Sequence, residues 1–424
     1  MKKTMQHPLV LGSLFFIMQL LIILSMCTES SMMQAWLSLA SHWDSEWYAA
    51  IAQYGYINID GPEHSGLLNA NVVFFPGYPY LARILILCCH IDAKLALLLV
   101  AQFSAFFFWC FLFYILQHLS WQKQVYAAMW IVAFPTSWFL FMGYSESLFI
   151  VCCCVMLRLM TEKRWVYSGL WGIFLTATRL IGLPVLAAPL GAWMIMNSVR
   201  LRQQLRSKQV GSVVKDMLCP GLMIPIGSLG CLCFLAYCAV HLGSWHLYFD
   251  MERMGWNATA DPFFLFKAPT WLPPPWGYPV DLAPALPNIW GRVLVFDFYR
   301  WAAYTLSECL VPLMLWLELF FGVWLWKQRR CISESCLVWY VAGLLLFLLT
   351  CFSLSTRYYE SMSRCLLPVW VVLIISDALN EHCSFFCRSS QPIIQRVIMM
   401  GLMVIGFGFW IQLLNRFLLG WWVA

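Results

Sequence analysis

The sequence predicts an all-α polytopic membrane protein, a bundle of about 11 transmembrane helices. One observation is the composition: of 424 residues, 62% are hydrophobic and 11% are charged, whereas soluble domains are roughly half apolar and a quarter charged. The second is that apolar runs of about 20 residues, long enough to cross a bilayer, recur along the whole chain. We therefore expect residues 1–424 to form a single transmembrane domain.

The net charge of +6 is too small to indicate a nucleic-acid partner, and basic cytoplasmic loops explain it better. The first element starts with Lys2 and Lys3 and stays apolar to about Met26, which we interpret as a retained transmembrane helix. With its basic start in the cytoplasm, this helix delivers residues 27–92 to the outer side as a first external loop. From position 27 to 82 this loop holds acids but no Lys or Arg, which supports the outer location.

The later elements follow from the same pattern. A short apolar piece at 77–90 is predicted to be an interfacial helix. Further spans are expected at about 93–118, 126–141, 145–160, 165–197 (two helices that meet around 179–182), 217–241, 301–326, 335–352, 364–380 and 394–412. A second external loop, 242–292, is rich in Pro and Trp. We find no internal repeat, which argues against a transporter built from duplicated halves.

Charged residues outside the cytoplasmic loops are candidates for function, because a charge in or near a membrane is costly. Under this topology they gather on the outer face, and they are Asp44, Glu46, Glu146, Arg179, Arg357, Glu360 and Arg364. The pattern is typical of an active site that faces outward.

The most informative segment is SHWDSEWYAAIAQYGY in the first external loop. Asp44 and Glu46 are two residues apart among aromatic side chains, which suits a general base acting on a sugar hydroxyl, since partial burial raises a carboxyl pKa. The alternative is structural: Asp44 would cap a helix, with Glu46 in its first turn. Spacing alone does not separate the two.

Several motifs in the first 185 residues also resemble one known family. They are His42-Trp43-Asp44-Ser45-Glu46, Ile51-Ala52-Gln53-Tyr54-Gly55-Tyr56, Phe74-Phe75-Pro76-Gly77-Tyr78-Pro79, Phe134-Pro135-Thr136, Gly143-Tyr144-Ser145-Glu146-Ser147-Leu148-Phe149 and Ala177-Thr178-Arg179 before Gly182-Leu183. In order and spacing they resemble the Pig-V family, the GPI mannosyltransferase 2-like enzymes that add the second mannose to the GPI anchor precursor, and their bacterial relatives. The last half resembles the family only in its helix pattern and in Arg357-Tyr358 with Ser363-Arg364.

The resemblance implies a GT-C type fold and an inverting glycosyltransferase that uses a polyprenyl- or dolichyl-phosphate sugar, most often mannose. It implies that Asp44 is the catalytic base and Glu46 its partner, positioning the acceptor or a divalent cation such as Mg²⁺ or Mn²⁺, with metal use left open. Cations at the outer headgroup level would bind the departing phosphate, and the candidates are Arg179, Arg357 and Arg364. Supporting roles fall to His42, Trp43, Tyr48, Tyr144 and Glu146.

Several of these residues also have a purely structural interpretation. Arg179 and Glu146 can form a purely structural ion pair, and Arg357 and Arg364 can be loop charges in water. A transporter or flippase of a lipid-linked sugar is the alternative function, and a non-catalytic subunit is a third. The expected partners are the lipid-phosphate sugar, a glycan or glycolipid acceptor and membrane lipids. The compact chain favours a bacterial inner membrane over the endoplasmic reticulum.

Overall fold

The computed structural model describes residues 7–56, 70–197, 210–256, 258–273, 298–328, 332–353, 362–380, 386 and 393–420, without the side chains of 210, 212–216, 298–308 and 393–395. All regular structure in these ranges is helical, which confirms the predicted all-α class. Two of the predicted outer-face charges, Arg357 and Glu360, lie outside the described residues.

The helices in chain order are α1 (Pro8–Met26), α2 (Met32–Ser38), α3 (Asp44–Tyr54), α4 (Gly77–Cys89), α5 (Ala93–Ile115), α6 (Trp121–Val132), α7 (Glu146–Thr161), α8 (Trp165–Thr178), α9 (Ala188–Met196), α10 (Val210–His241), α11 (Leu247–Gly255), α12 (Ala268–Trp271), α13 (Phe298–Lys327), α14 (Glu334–Ser353), α15 (Met362–Cys365), α16 (Leu367–Leu379) and α17 (Ile393–Leu418). Short 3-10 turns lie between them, at Ala70–Val73, Ser137–Phe141, Leu180–Gly182, Pro184–Ala187 and Phe264–Phe266.

Within the described ranges, seven helical segments are long and apolar enough to cross a membrane: Pro8–Met26, Ala93–Ile115, Met217–His241, Cys309–Lys327, Glu334–Ser353, Met362–Leu379 and Arg396–Leu418. The chain is therefore an all-α polytopic membrane protein. The other four predicted spans form shorter helices, α6 to α9. Proline explains part of this, because α6 ends just before Pro135, and Pro184 and Pro189 interrupt the stretch after α8.

The segment Met362–Leu379 is at the centre of the bundle and α1 is at its edge. In the most apolar window of each, 94% of the residues of Met362–Leu379 are buried, against 22% in α1. An apolar helix buried on all sides belongs to the protein core, and one that exposes most of its side chains faces lipid. The short helix α7 is also central, since most of its residues are buried.

Glycines bring α8 and α10 unusually close together. A Cβ added to Gly227 would lie 3.4 Å from Cα of Gly172, and one added to Gly230 would lie 2.0 Å from the carbonyl oxygen of Ile173. Thr176 of α8 also joins the two helices, since its hydroxyl donates a hydrogen bond of 2.6 Å to the carbonyl of Gly227 in α10. Small residues at a helix interface and an interhelical hydrogen bond are typical of packing in membranes.

The chain alternates between two ends of the bundle, and contacts far apart in sequence mark each end. At one end, Lys94 at the start of α5 donates to Ser41, which lies between α2 and α3. At the other, Lys163 after α7 pairs with Glu334 at the start of α14. The first end is where α3 and α7 begin and α8 finishes, so residues at these termini can meet.

Candidate functional site

Asp44 is the first residue of α3, and the backbone before it is strained. Trp43 has φ 54° and ψ −123°, in the left-handed half of the Ramachandran plot where a bulky side chain is rarely found. No side chain caps this helix, so Asp44 is not its cap, whereas Glu46 does lie in the first turn, as the structural alternative expected. Strain of this kind persists only where surrounding contacts impose it.

The partner of Asp44 is Arg364, in the short helix α15. Nη1 of Arg364 lies 2.6 Å from Oδ2 of Asp44, and the two side chains are 8% and 13% exposed. The interpretation of Arg364 as a loop charge in water is therefore wrong. A guanidinium buried to this extent needs a carboxylate within contact distance. The pair could not be predicted from the sequence, because the two residues are far apart along the chain.

Glu146 extends this pair into a chain of four charges. Its Oε1 lies 3.2 Å from Nε of Arg364 and 2.9 Å from Nη1 of Arg179, and its side chain is 1% exposed. Glu146 begins α7, where the positive end of the helix dipole favours an acid. Arg179 follows directly after α8 in extended conformation, which turns its side chain back to α7. The order is Asp44, Arg364, Glu146, Arg179, and we refer to these residues as the charge chain.

Aromatic side chains surround the charge chain. The guanidinium carbon of Arg364 lies 5.2 Å from the ring centre of Tyr144 and 5.5 Å from that of Phe139, within the range of a cation–π interaction. Tyr144 donates its hydroxyl hydrogen bond to the carbonyl of His42, over 3.0 Å. The hydroxyls of Tyr48 and Ser145 lie 2.9 Å apart. These contacts fix the loop before α3 against the turn before α7.

The remaining predicted site residues have other surroundings. Glu46 is partly exposed and takes part in none of the ion pairs found among the described residues. The ring of His42 packs edge-on against Phe417 at 5.4 Å, and burial lowers the pKa of His42, which favours the neutral ring. The structure thus joins Asp44, Glu146, Arg179 and Arg364, while Glu46 and the His42 ring stand outside the charge chain.

One acid beside the charge chain was missed in the sequence. Glu252 lies on α11, within the predicted second external loop, and Asp44 and Arg179 are close enough to act on it electrostatically. Burial raises the pKa of Glu252 to about 7, and the hydrogen bond from Tyr248 and the charge of Arg179 act in the opposite direction. The available signal was the spacing of Tyr248, Glu252 and Trp256, which puts all three on one helix face.

The described residues contain no preformed cluster of metal ligands. In this part of the chain, no group of three or more His, Cys, Asp or Glu side chains is arranged to hold a metal ion. Oδ2 of Asp44 is already bound to Arg364, and Glu46 belongs to no such group. We therefore derive no step through a metal.

Fold and site together define a class: a polytopic helical membrane protein with a buried chain of two acids and two arginines at one end of its bundle. No protein-family model, curated protein or solved structure matches the chain.

Proposed function

We propose that the chain is an inverting GT-C type glycosyltransferase. In this proposal it moves a sugar, mannose in the first instance, from a polyprenyl- or dolichyl-phosphate donor to a lipid-linked or surface glycan acceptor on the outer side of the membrane. The observation that supports it best is the charge chain, in which Asp44 is held against Arg364 by a contact of 2.6 Å. Such an arrangement offers a fixed carboxylate and guanidinium groups next to one another.

In the proposed reaction, Asp44 accepts the proton of an acceptor hydroxyl as its oxygen attacks the anomeric carbon of the donor sugar. The bond from that carbon to the phosphate oxygen breaks, and the lipid phosphate leaves with the electron pair. Of the two arginines in the charge chain, Arg179 is the better placed for this phosphate, since it is 17% exposed whereas Arg364 is 8% exposed. A preorganised cation that meets developing charge is among the largest contributions to catalysis.

Glu146 would act through the arginines. It contacts both guanidinium groups and is almost fully buried, so a substrate reaches it less readily than Asp44 or Arg179. The contact between Glu146 and Arg179 is the same in both interpretations of this pair. In one the pair is purely structural, and in the other Glu146 orients Arg179 for the phosphate. We assign Glu146 as a positioning residue.

The flippase or transporter alternative has one observation in its favour. Glu318 lies in the span Cys309–Lys327, is fully buried, and neither of its carboxylate oxygens has a hydrogen-bond partner among the described residues. Ionisable residues inside membrane spans are frequent in proton-coupled transporters. Against it, the charge chain lies where helices begin and end, next to loop segments, which suits surface chemistry better than translocation.

The substitution Asp44→Asn tests the proposed function. Purified protein is incubated with radiolabelled polyprenyl-phosphate mannose and a lipid and glycan extract from cells that lack the protein, which retains the unmodified acceptor. Loss of a general base lowers the rate by roughly 10²- to 10⁴-fold. Glu29→Gln, an exposed acid of the same loop, is the matched control and keeps the wild-type rate.

An unchanged rate in Asp44→Asn would refute the assignment of the base. If the wild-type protein transfers no sugar from any lipid-phosphate donor, the glycosyltransferase proposal fails, and movement of labelled donor across sealed vesicles is then the test of the flippase alternative.

A further inference from the structure

Helix α11 packs on the segment 27–92 through two aromatic contacts, one to the residues that follow the 3-10 turn Ala70–Val73 and one to α3. The ring of Tyr248 meets Phe75 edge-on at 5.2 Å, and the ring of Trp256 lies 5.7 Å from that of Trp47. Tyr248, Glu252 and Trp256 follow one another at intervals of four residues, so they share a helix face. Because the outer two are packed on the first external loop, Glu252 between them also faces it.

The surroundings of Glu252 combine one hydrogen-bond donor with charges of both signs. Tyr248 donates to its carboxylate, and Arg179 and Asp44 act on it from the ends of α8 and α3. The other acid of α11, Asp250, forms an ion pair with His246, the residue just before the helix. Glu252 is thus the acid of α11 that interacts with the charge chain.

The charge chain is accessible at its two ends. Asp44 and Arg179 are 13% and 17% exposed, whereas Glu146 and Arg364 between them are 1% and 8% exposed. The two ends are also the members that act on Glu252. A substrate that reaches the charge chain therefore meets Asp44 and Arg179 with Glu252 beside them.

We propose that Glu252 binds the acceptor glycan: its carboxylate accepts a hydrogen bond from a hydroxyl neighbouring the one that Asp44 deprotonates. This inference rests on the proposed function. An ionised carboxylate holds a hydroxyl about twice as strongly as a neutral group does. Since the pKa of Glu252 is raised to about 7, acceptor affinity is present above pH 7 and is lost as the pH falls through that value.

The test compares Glu252→Gln with Asp250→Asn in the same transfer assay, at pH 8 and pH 6. Both variants remove one negative charge from α11, but Asp250 is paired with His246, the residue just before this helix. Loss of one charged hydrogen bond raises the apparent KM for the acceptor extract in Glu252→Gln by about tenfold or more. We expect kcat and the KM for the donor to stay near wild type, and Asp250→Asn to match wild type throughout.

The pH response separates binding from a structural role. For the wild-type protein, kcat/KM for the acceptor should decrease about tenfold from pH 8 to pH 6, because the ionised fraction of a group with a pKa near 7 decreases by that factor. In Glu252→Gln, kcat/KM should not show this decrease. Glu252→Asp, which keeps a carboxylate, should restore part of the affinity. If Glu252→Gln keeps the wild-type KM for the acceptor at both pH values, the inference about Glu252 is refuted and the proposed function is not. The same holds if Glu252→Gln loses kcat while its KM for the acceptor is unchanged. A wild-type protein that transfers no sugar overturns the proposed function as well.

Discussion

Glu146 is the residue on which the site geometry depends most. It is the acid that touches both arginines, and its side chain is 1% exposed. If its charge is removed, the guanidinium groups of Arg179 and Arg364 lose their shared counter-ion and repel each other. Breaking one side of a buried ion pair costs about 3–5 kcal/mol, because an uncompensated charge stays in a medium of low dielectric constant.

We predict that Glu146→Gln is strongly destabilised and that removing Arg179 as well restores part of the loss. The double variant Glu146→Gln with Arg179→Gln should be more stable than the sum of the single effects by roughly 1 kcal/mol or more. Thermal unfolding of the detergent-solubilised protein measures this. Sugar transfer should be lost in all three variants. Additive stability losses would show that the 2.9 Å contact carries no coupling energy.

The sequence identified the members of the charge chain but not their order. Scarcity of charge in an apolar chain selected seven candidates on the outer face, and four of them, Asp44, Glu146, Arg179 and Arg364, form the charge chain. Which acid meets which arginine depends on distances between helix ends that no local pattern contains. Glu252 was missed for a related reason: it lies in a loop expected to be in water, where a charge costs nothing.

At the scale of elements, a glycine allows the two halves of the site to meet. Gly143, just before α7, donates its backbone N–H to the carbonyl of Leu39 over 3.0 Å. A Cβ at this position would lie 2.6 Å from Cβ of Ala40 and 3.0 Å from its Cα, both too close. The loop that leads to Asp44 and the turn that leads to Glu146 therefore touch backbone to backbone.

We predict that Gly143→Ala separates these two segments. Forcing a methyl group into a tight contact costs about 1–3 kcal/mol, and the shift moves Asp44 away from Arg364, so both stability and transfer should fall. The control is Gly408→Ala on α17, where an added Cβ meets no atom within 4 Å. That variant should be at least as stable as wild type, because Ala favours a helix over Gly. Equal melting temperatures for the two variants would contradict the close approach.

Helix length was less predictable than helix position. The eleven predicted spans each match a helical segment, but α6 to α9 have 12, 16, 14 and 9 residues, too short to cross a bilayer unaided. Hydropathy records that a segment is apolar and not whether it is surrounded by lipid or by other helices. Helix α7 is apolar and is surrounded by other helices rather than by lipid, because most of its residues are buried.

At the scale of the whole molecule, charge is distributed unevenly between the ends of the bundle. Under the topology predicted from the sequence, more than half of the 26 Lys and Arg residues belong to the end opposite Asp44, and most of the 20 acids belong to the end of Asp44. Basic residues near transmembrane helices stay in the cytoplasm. The charge chain is therefore expected on the non-cytoplasmic side, where a lipid-phosphate sugar would present its head group.

Protease sites inserted at the two ends test this orientation. One follows Gly243, in an exposed turn after α10, and the other follows Gln328, just after α13. Protease added outside intact cells or spheroplasts should cut the chain after Gly243 and leave the site after Gln328 intact until the membrane is permeabilised. Because the chain alternates between the ends of the bundle, Asp44 shares the side of Gly243. Cleavage after Gln328 alone would put the charge chain in the cytoplasm, where the donor would have to present its sugar on the opposite leaflet.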